Sequence, residues 1–400
     1  MQSSDFPSKK GATFTRTCFN GINALSGVGI LSVPYALAHG GWFSLLLLLL
    51  VAGVCYYTGL LLRHCMDSNE LIKTYPDIGE LAFGRKGRIA VSTFMYLELY
   101  LVAIEFLVME GDNLEKLFPG AALHIPGLPP IGGKSSFILL AAVIVLPTTW
   151  SRNLGALAYV SFGGVFASLV LLACVLWLGA VDGVGFHERG ALFRWSGVPT
   201  AASLFVFCYS GHAVFPTLYT SMKERLKFSK VLLISFFLCT LSYGSMAVSG
   251  YLMYGSGAKS QITLNLPAQK LSSKLAIYTT VVNPLTKYAL MLSPVAAAIE
   301  DHFQASRSRS VSVLIRTLLV LSTALAALTL PFFGYLIALT GAILSTTASV
   351  LLPCMCYLKI FKDAQRRSTE SALIGAIMAA GTSIAVVGTY CAARQIVTSL

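Results

Sequence analysis

Asn20-Gly21-Ile22-Asn23-Ala24-Leu25-Ser26-Gly27-Val28-Gly29-Ile30-Leu31-Ser32-Val33-Pro34-Tyr35-Ala36 lies inside an apolar run from Thr13 to Leu37. The run is long enough for a membrane-crossing helix. Its middle, Ser26-Gly27-Val28-Gly29, lacks the bulky apolar residues that keep such a helix continuous, and Pro34 interrupts it again. A second run, Val198 to Ser221, is interrupted at Tyr209-Ser210-Gly211-His212 and at Pro216. Broken helices at matching places in two halves of a chain are the best sequence pointer to a transporter site.

The rest of the chain supports a lipid environment. Of 400 residues, 56% are hydrophobic and 12% charged, against about 25% charged in soluble domains. Further apolar spans are expected at Gly40–Leu62, Ile89–Asn113, Ser135–Trp150, Leu154–Val181, Val231–Tyr254, Lys274–Ile299 and Ser371–Ala393. The uncharged run Thr317–Leu358 is too long for one span and is expected to turn at Pro331-Phe332-Phe333-Gly334. That makes eleven spans, all helical, because backbone in lipid must satisfy its own hydrogen bonds. The two breaks are five spans apart. This predicts an inverted repeat of residues 13–181 and 195–360, preceded by a short segment 1–12 and followed by an eleventh span at 371–394.

Lysines and arginines number 29. Twenty fall on the side of the amino terminus, eight on the other, and Lys287 lies within a span. This asymmetry predicts a cytosolic amino terminus and a lumenal or extracellular carboxyl terminus. The net charge of +12 does not predict nucleic-acid binding, because the basic residues are scattered through short loops. Most of the nine cysteines sit in apolar runs, where a free thiol acts as a small hydrophobe. No zinc spacing, Ser/His/Asp set or phosphate loop appears, so an enzyme is not expected.

Unwinding a helix exposes N–H groups at one break edge and C=O groups at the other. The first attract a carboxylate, the second an ammonium, and an α-amino acid carries both. Glycine at a break allows either close ligand approach or close helix packing. Glu98 and Glu105 are seven residues apart, on one helical face. Ionisable groups at membrane depth are costly and usually functional. Lys287 stands deep in the eighth span, where it can replace a coupling cation or pair with Glu98 or Glu105. His212 has two readings, proton carrier or hydrogen-bonded core histidine. Glu110, Glu300 and Asp301 lie near helix ends and are expected at the interface.

The opening stretch closely resembles the first-helix motif of the amino acid/auxin permease family, and Gly40-Gly41-Trp42 follows where that family has it. Tyr75-Pro76-Asp77-Ile78-Gly79-Glu80-Leu81-Ala82-Phe83-Gly84, Phe207-Cys208-Tyr209-Ser210-Gly211-His212 and Asn283-Pro284-Leu285-Thr286-Lys287-Tyr288 resemble its other signatures. The chain looks most like the plant and fungal vacuolar amino acid transporters. The resemblance implies a LeuT-like fold and proton-linked amino acid transport, with no cofactor beyond the coupling proton. It places the substrate carboxylate on backbone N–H groups of Ser26, Gly27, Val28 and Gly29. Cys208, Tyr209 and Ser210 offer carbonyls to the amino group, and Gly211 and His212 shape the break. Glu98, Glu105, Lys287 and His212 are the proton-coupling candidates. It implies a multi-pass protein of the vacuolar or plasma membrane. Transport of auxin or another organic solute, and amino acid sensing without flux, are the alternative readings.

Overall fold

A computed structural model describes residues 11–122, 131–150, 157–303, 308–330, 332–362 and 368–399. Among them no β-strand forms. The first span is two helices, α1 (Phe14–Leu25) and α2 (Val33–Gly40), joined by a single tight turn at Val28–Leu31. Pro34 sits in the first turn of α2, where its missing N–H costs nothing. It opens the second half-helix; the additional interruption expected there is not present.

Next come α3 (Ser44–Asp67), α4 (Tyr75–Leu117), α5 (Gly133–Thr149) and α6 (Leu157–Ala180). The sixth span is again split, into α7 (Val198–Cys208) and α8 (Phe215–Ser221). Pro216 opens α8 as Pro34 opens α2. Then follow α9 (Phe228–Tyr254), α10 (Leu271–His302) and α11 (Arg309–Thr329). The tenth span joins α12 (Phe333–Leu339) to α13 (Leu352–Ile360) through π-helical turns at Thr340–Ser345 and Thr347–Leu351. The eleventh joins α14 (Ser368–Ser383) to α15 (Thr389–Ser399). The turn between α11 and α12 falls at 330–332, as expected, although Pro331 itself lies outside the described residues.

Seven of these spans are long and apolar enough to cross a membrane by length and composition. The other four crossings are the two broken pairs, the 17-residue α5 and α10. Leu49, Leu50, Val143, Phe237, Leu241 and Leu325 point outward and form an apolar exterior suited to lipid.

One polar segment holds more order than its composition suggests. The stretch from Arg63 to Arg88 contains a helical arm, Tyr75–Phe83, that runs into α4 across a bend at Gly84, whose φ is +64°. Only glycine takes that conformation cheaply. Thr74 and Asp77 form a reciprocal capping box at its start. Arg88 folds back onto Asp77, at 3.1 Å, and Glu80.

Inside the bundle, α4 and α10 pack together, α10 lies along α6, and α1 and α2 lie along α9. At the end opposite the amino terminus, the loop after α9 dips inward. Ser32 Oγ donates to the Ser260 carbonyl at 2.9 Å. Asn113 Nδ2 donates to Gln261 Oε1 at 2.6 Å, and Gln261 Nε2 to Asp112 Oδ2 at 2.8 Å. Lys116 Nζ donates to the Thr263 carbonyl at 2.7 Å.

Candidate functional site

The tight turn at Val28–Leu31 sits in the interior, with all four residues buried. The N–H groups of Val28 and Gly29 open this turn and have no carbonyl within it to reach. A small cavity lies beside it, enclosing with its open mouth about 300 Å³. Its walls are Gly27, Val28, Ile30 and Leu31; Met109 of α4; Ala167, Ser168 and Leu171 of α6; and Thr279, Thr280, Asn283 and Pro284 of α10. Most of that space belongs to the open mouth; the enclosed part is about 20 Å³, room for about one water in this conformation. No lining side chain is ionisable. Asn283 Oδ1 is buried without a hydrogen-bond partner.

The two glycines of the break behave differently. A Cβ on Gly27 would meet nothing within 4 Å, so that backbone faces the cavity. A Cβ on Gly29 would lie 2.6 Å from Cys208 Sγ and 3.1 Å from Cys208 Cα. Gly29 therefore lets the first break touch the sixth. Gly29→Ala is expected to destabilise the protein by about 1–3 kcal/mol through overpacking, read as a lower melting temperature of the purified protein. Ser26 is buried and its Oγ has no partner.

The sixth break is held by side chains on three sides. The single O–H proton of Tyr243 Oη on α9 is shared between the Leu25 carbonyl, at 2.5 Å, and the Cys208 carbonyl, at 3.1 Å. The Cys208 carbonyl thus already has a donor within the protein. Tyr209 donates its hydroxyl to Thr240 Oγ1 at 2.8 Å and stacks on Phe236. Ser210 Oγ donates to Glu98 Oε1 at 2.7 Å and lies 2.9 Å from Ser349 Oγ. A Cβ on Gly211 would crowd Leu25 and Phe215, each at 3.0 Å.

His212 is fully buried against α3, with Nε2 2.9 Å from Thr58 Oγ1 and 3.1 Å from the Cys55 carbonyl. A carbonyl only accepts, so Nε2 carries the proton. This geometry suits a histidine that anchors the break.

Glu98 and Glu105 do share one face of α4, and that face meets the π-helical turns of the tenth span. Ser345 Oγ donates to Glu98 Oε1 at 2.6 Å. Thr340 Oγ1 donates to Glu105 Oε1 at 2.7 Å, while Glu105 Oε2 is buried without a partner. Lys287 is buried but pairs with neither acid. Its Nζ lies against Gly164 of α6, beside Asn23 Oδ1 of α1. Among the described residues Lys287 makes no ion pair.

Two of the acids expected near the interface are covered by protein. Glu110 is 1% exposed with both oxygens unpartnered. Glu300 is buried in an ion pair with Arg316 at 2.7 Å. Asp301 is exposed, as expected.

Sequence reasoning missed Tyr243, Asn283 and the hydroxyls of the tenth span. Thr340 and Ser345 are five apart, a spacing that shares a face only when the helix widens to i→i+5 bonding.

Two broken spans packed against each other at Gly29 and Cys208, the first lining a cavity, define a membrane transporter of the LeuT-like fold. The chain belongs to the transmembrane amino acid transporter protein family, whose model matches residues 10–393. It is 54% identical over 391 residues to Amino acid transporter AVT1I of Arabidopsis thaliana, covering 97% of this chain and 96% of that protein. It is 52% identical over 395 residues to Amino acid transporter AVT1J of the same plant, covering 98% and 93%. In fold it resembles MhsT, solved in complex with L-phenylalanine, with a TM-score of 0.62 at 13% identity, covering 96% of this chain and 99% of that one. A Na⁺-coupled sialic acid symporter superposes with a TM-score of 0.56 at 12% identity, covering 94% and 89%.

Proposed function

We propose that this chain is a proton-coupled amino acid transporter working by alternating access, with substrate held where the first span is broken. It is a transporter and not an enzyme. The observation that carries the site is the open space at Gly27: a backbone without Cβ at a cavity wall, beside the Val28 and Gly29 N–H groups that open the turn, whereas the Ser26 and Gly27 N–H groups already bond the Ile22 and Leu25 carbonyls. N–H groups at a helix start attract a carboxylate. The residues 13–181 and 195–360 act as two repeats of opposite orientation, each led by a broken span. The relatives' names and the absence of ionisable side chains from the cavity wall support an amino acid over auxin or another organic acid.

Glu105 is the preferred proton carrier. It is buried, it faces the tenth span, and one of its oxygens has no partner. Glu98 accepts two hydroxyls on one oxygen and links Ser210 of the sixth break to the tenth span. Lys287 stands beside α1 and α6 as a fixed positive group in place of a metal cation. The amino terminus is cytosolic, on the bias of lysine and arginine, and the carboxyl terminus lumenal. The vacuolar membrane is the site of action, on likeness to vacuolar members of the family; a fluorescent fusion confined to the plasma membrane would exclude it.

The test is uptake of a labelled amino acid mixture into proteoliposomes with an imposed pH gradient. Uptake should follow the gradient, collapse with a protonophore and ignore sodium. Glu105→Gln is expected to lower gradient-driven uptake at least tenfold while leaving exchange of internal for external substrate within about twofold. Unchanged dependence on the gradient would remove Glu105 from the coupling path.

A further inference from the structure

Both broken spans end their first halves on carbonyls outside the helical bonding pattern, Leu25 for α1, which also accepts the Gly27 N–H at 2.7 Å, and Cys208 for α7. In the described structure these two carbonyls converge on one atom, Tyr243 Oη, at 2.5 and 3.1 Å. Each carries the negative end of a helix dipole. Two such ends, brought together away from water, repel unless a positive group stands between them. A metal cation would serve, and so does a hydroxyl proton. We propose that Tyr243 is the positioning residue of the transport site, its O–H taking the place of a bound cation between the two half-helix ends.

The surroundings suit that role. Tyr243 is fully buried. Its ring packs edge-on against Tyr209, with centroids 5.4 Å apart, which fixes the hydroxyl's direction. Tyr209 is held in turn by Thr240, one turn earlier on the same helix. Thus α9 presents one face to both breaks and sets their spacing. When substrate occupies the first break, the sixth must keep its register for the pair to move together. The hydroxyl holds that register without any ion drawn from solution. This inference rests on reading the breaks as the transport site.

Tyr243→Phe keeps the ring and removes only the proton. In proteoliposomes supplied with a labelled amino acid mixture, the half-saturating concentration should rise about tenfold or more, since the Cys208 carbonyl loses its donor and the Leu25 carbonyl keeps only the Gly27 N–H. Maximal rate should stay within about threefold. Sodium or potassium in place of choline should recover part of the lost affinity in Tyr243→Phe and leave the parent protein unchanged. A structural defect alone would not respond to the cation. An unchanged half-saturating concentration overturns the proposal, and so does a loss that no cation touches. Should Tyr243→Phe fail to reach the membrane, the parent protein carries the test: equal uptake in sodium, potassium and choline supports the proposal, and sodium-dependent uptake overturns it. No uptake by the parent protein under any gradient refutes the transport reading itself.

Discussion

Gly27→Val is expected to abolish uptake while leaving the folded protein intact. The backbone at Gly27 has φ −88° and ψ −158°, extended values that valine adopts without strain. No atom stands within 4 Å of where its Cβ would project. The added methyl groups therefore enter the cavity and occupy the space a carboxylate would need to reach the turn's N–H groups. A displacement of about 1 Å at a binding site can cost roughly 100-fold in rate, and valine displaces more than that. Transport should fall by at least about 100-fold, with an unchanged melting temperature. Gly29→Ala should show the reverse signature, because its Cβ would strike Cys208. Full uptake by Gly27→Val would sink the proposed site.

The second large effect concerns stability. Arg316 and Glu300 are 4% and 5% exposed at their side chains. Arg316 Nη1 also donates to the Thr149 carbonyl at the end of α5, at 2.8 Å. Ser312 Oγ donates to the same Glu300 oxygen, at 2.7 Å. One guanidinium thus ties the ends of α5, α10 and α11 together. Arg316→Ala removes one buried partner of the Glu300 carboxylate together with a donor to the Thr149 carbonyl, at a cost of about 3–5 kcal/mol. The expected result is a much lower melting temperature or loss of the protein from the membrane. Adding Glu300→Gln should restore part of the loss, since it lessens the charge that must be buried without Arg316. A double variant no better than Arg316→Ala would show that the pair acts only through packing.

The broken spans were legible because small residues and prolines stand out in apolar runs. Ser26-Gly27-Val28-Gly29 and Tyr209-Ser210-Gly211-His212 mark both gaps, and Pro34 and Pro216 mark where each helix resumes. The spacing of Glu98 and Glu105 placed them on one face. What that face meets was not legible. Their partners come from a span some 240 residues later, through hydroxyls whose register depends on π-helical turns. The arm at Tyr75–Phe83 was hidden because it lies outside the apolar runs and its bend depends on one glycine. Glu110 and Glu300 misled for a similar reason: position near a helix end says nothing about which neighbours cover it. Tyr243 reads as one aromatic residue among many, and only the meeting of α1, α7 and α9 gives it two carbonyls.

The loop that dips in after α9 has a consequence for the kinetics of the cycle. Ser32, Asn113, Asp112 and Lys116 hold it through four bonds, none of which joins two opposite charges. Salt weakens ion pairs through screening, but hydrogen bonds with a neutral partner much less. The lifetime of this closure is thus expected to change little with ionic strength, apart from the Asp112–Lys134 ion pair beside it.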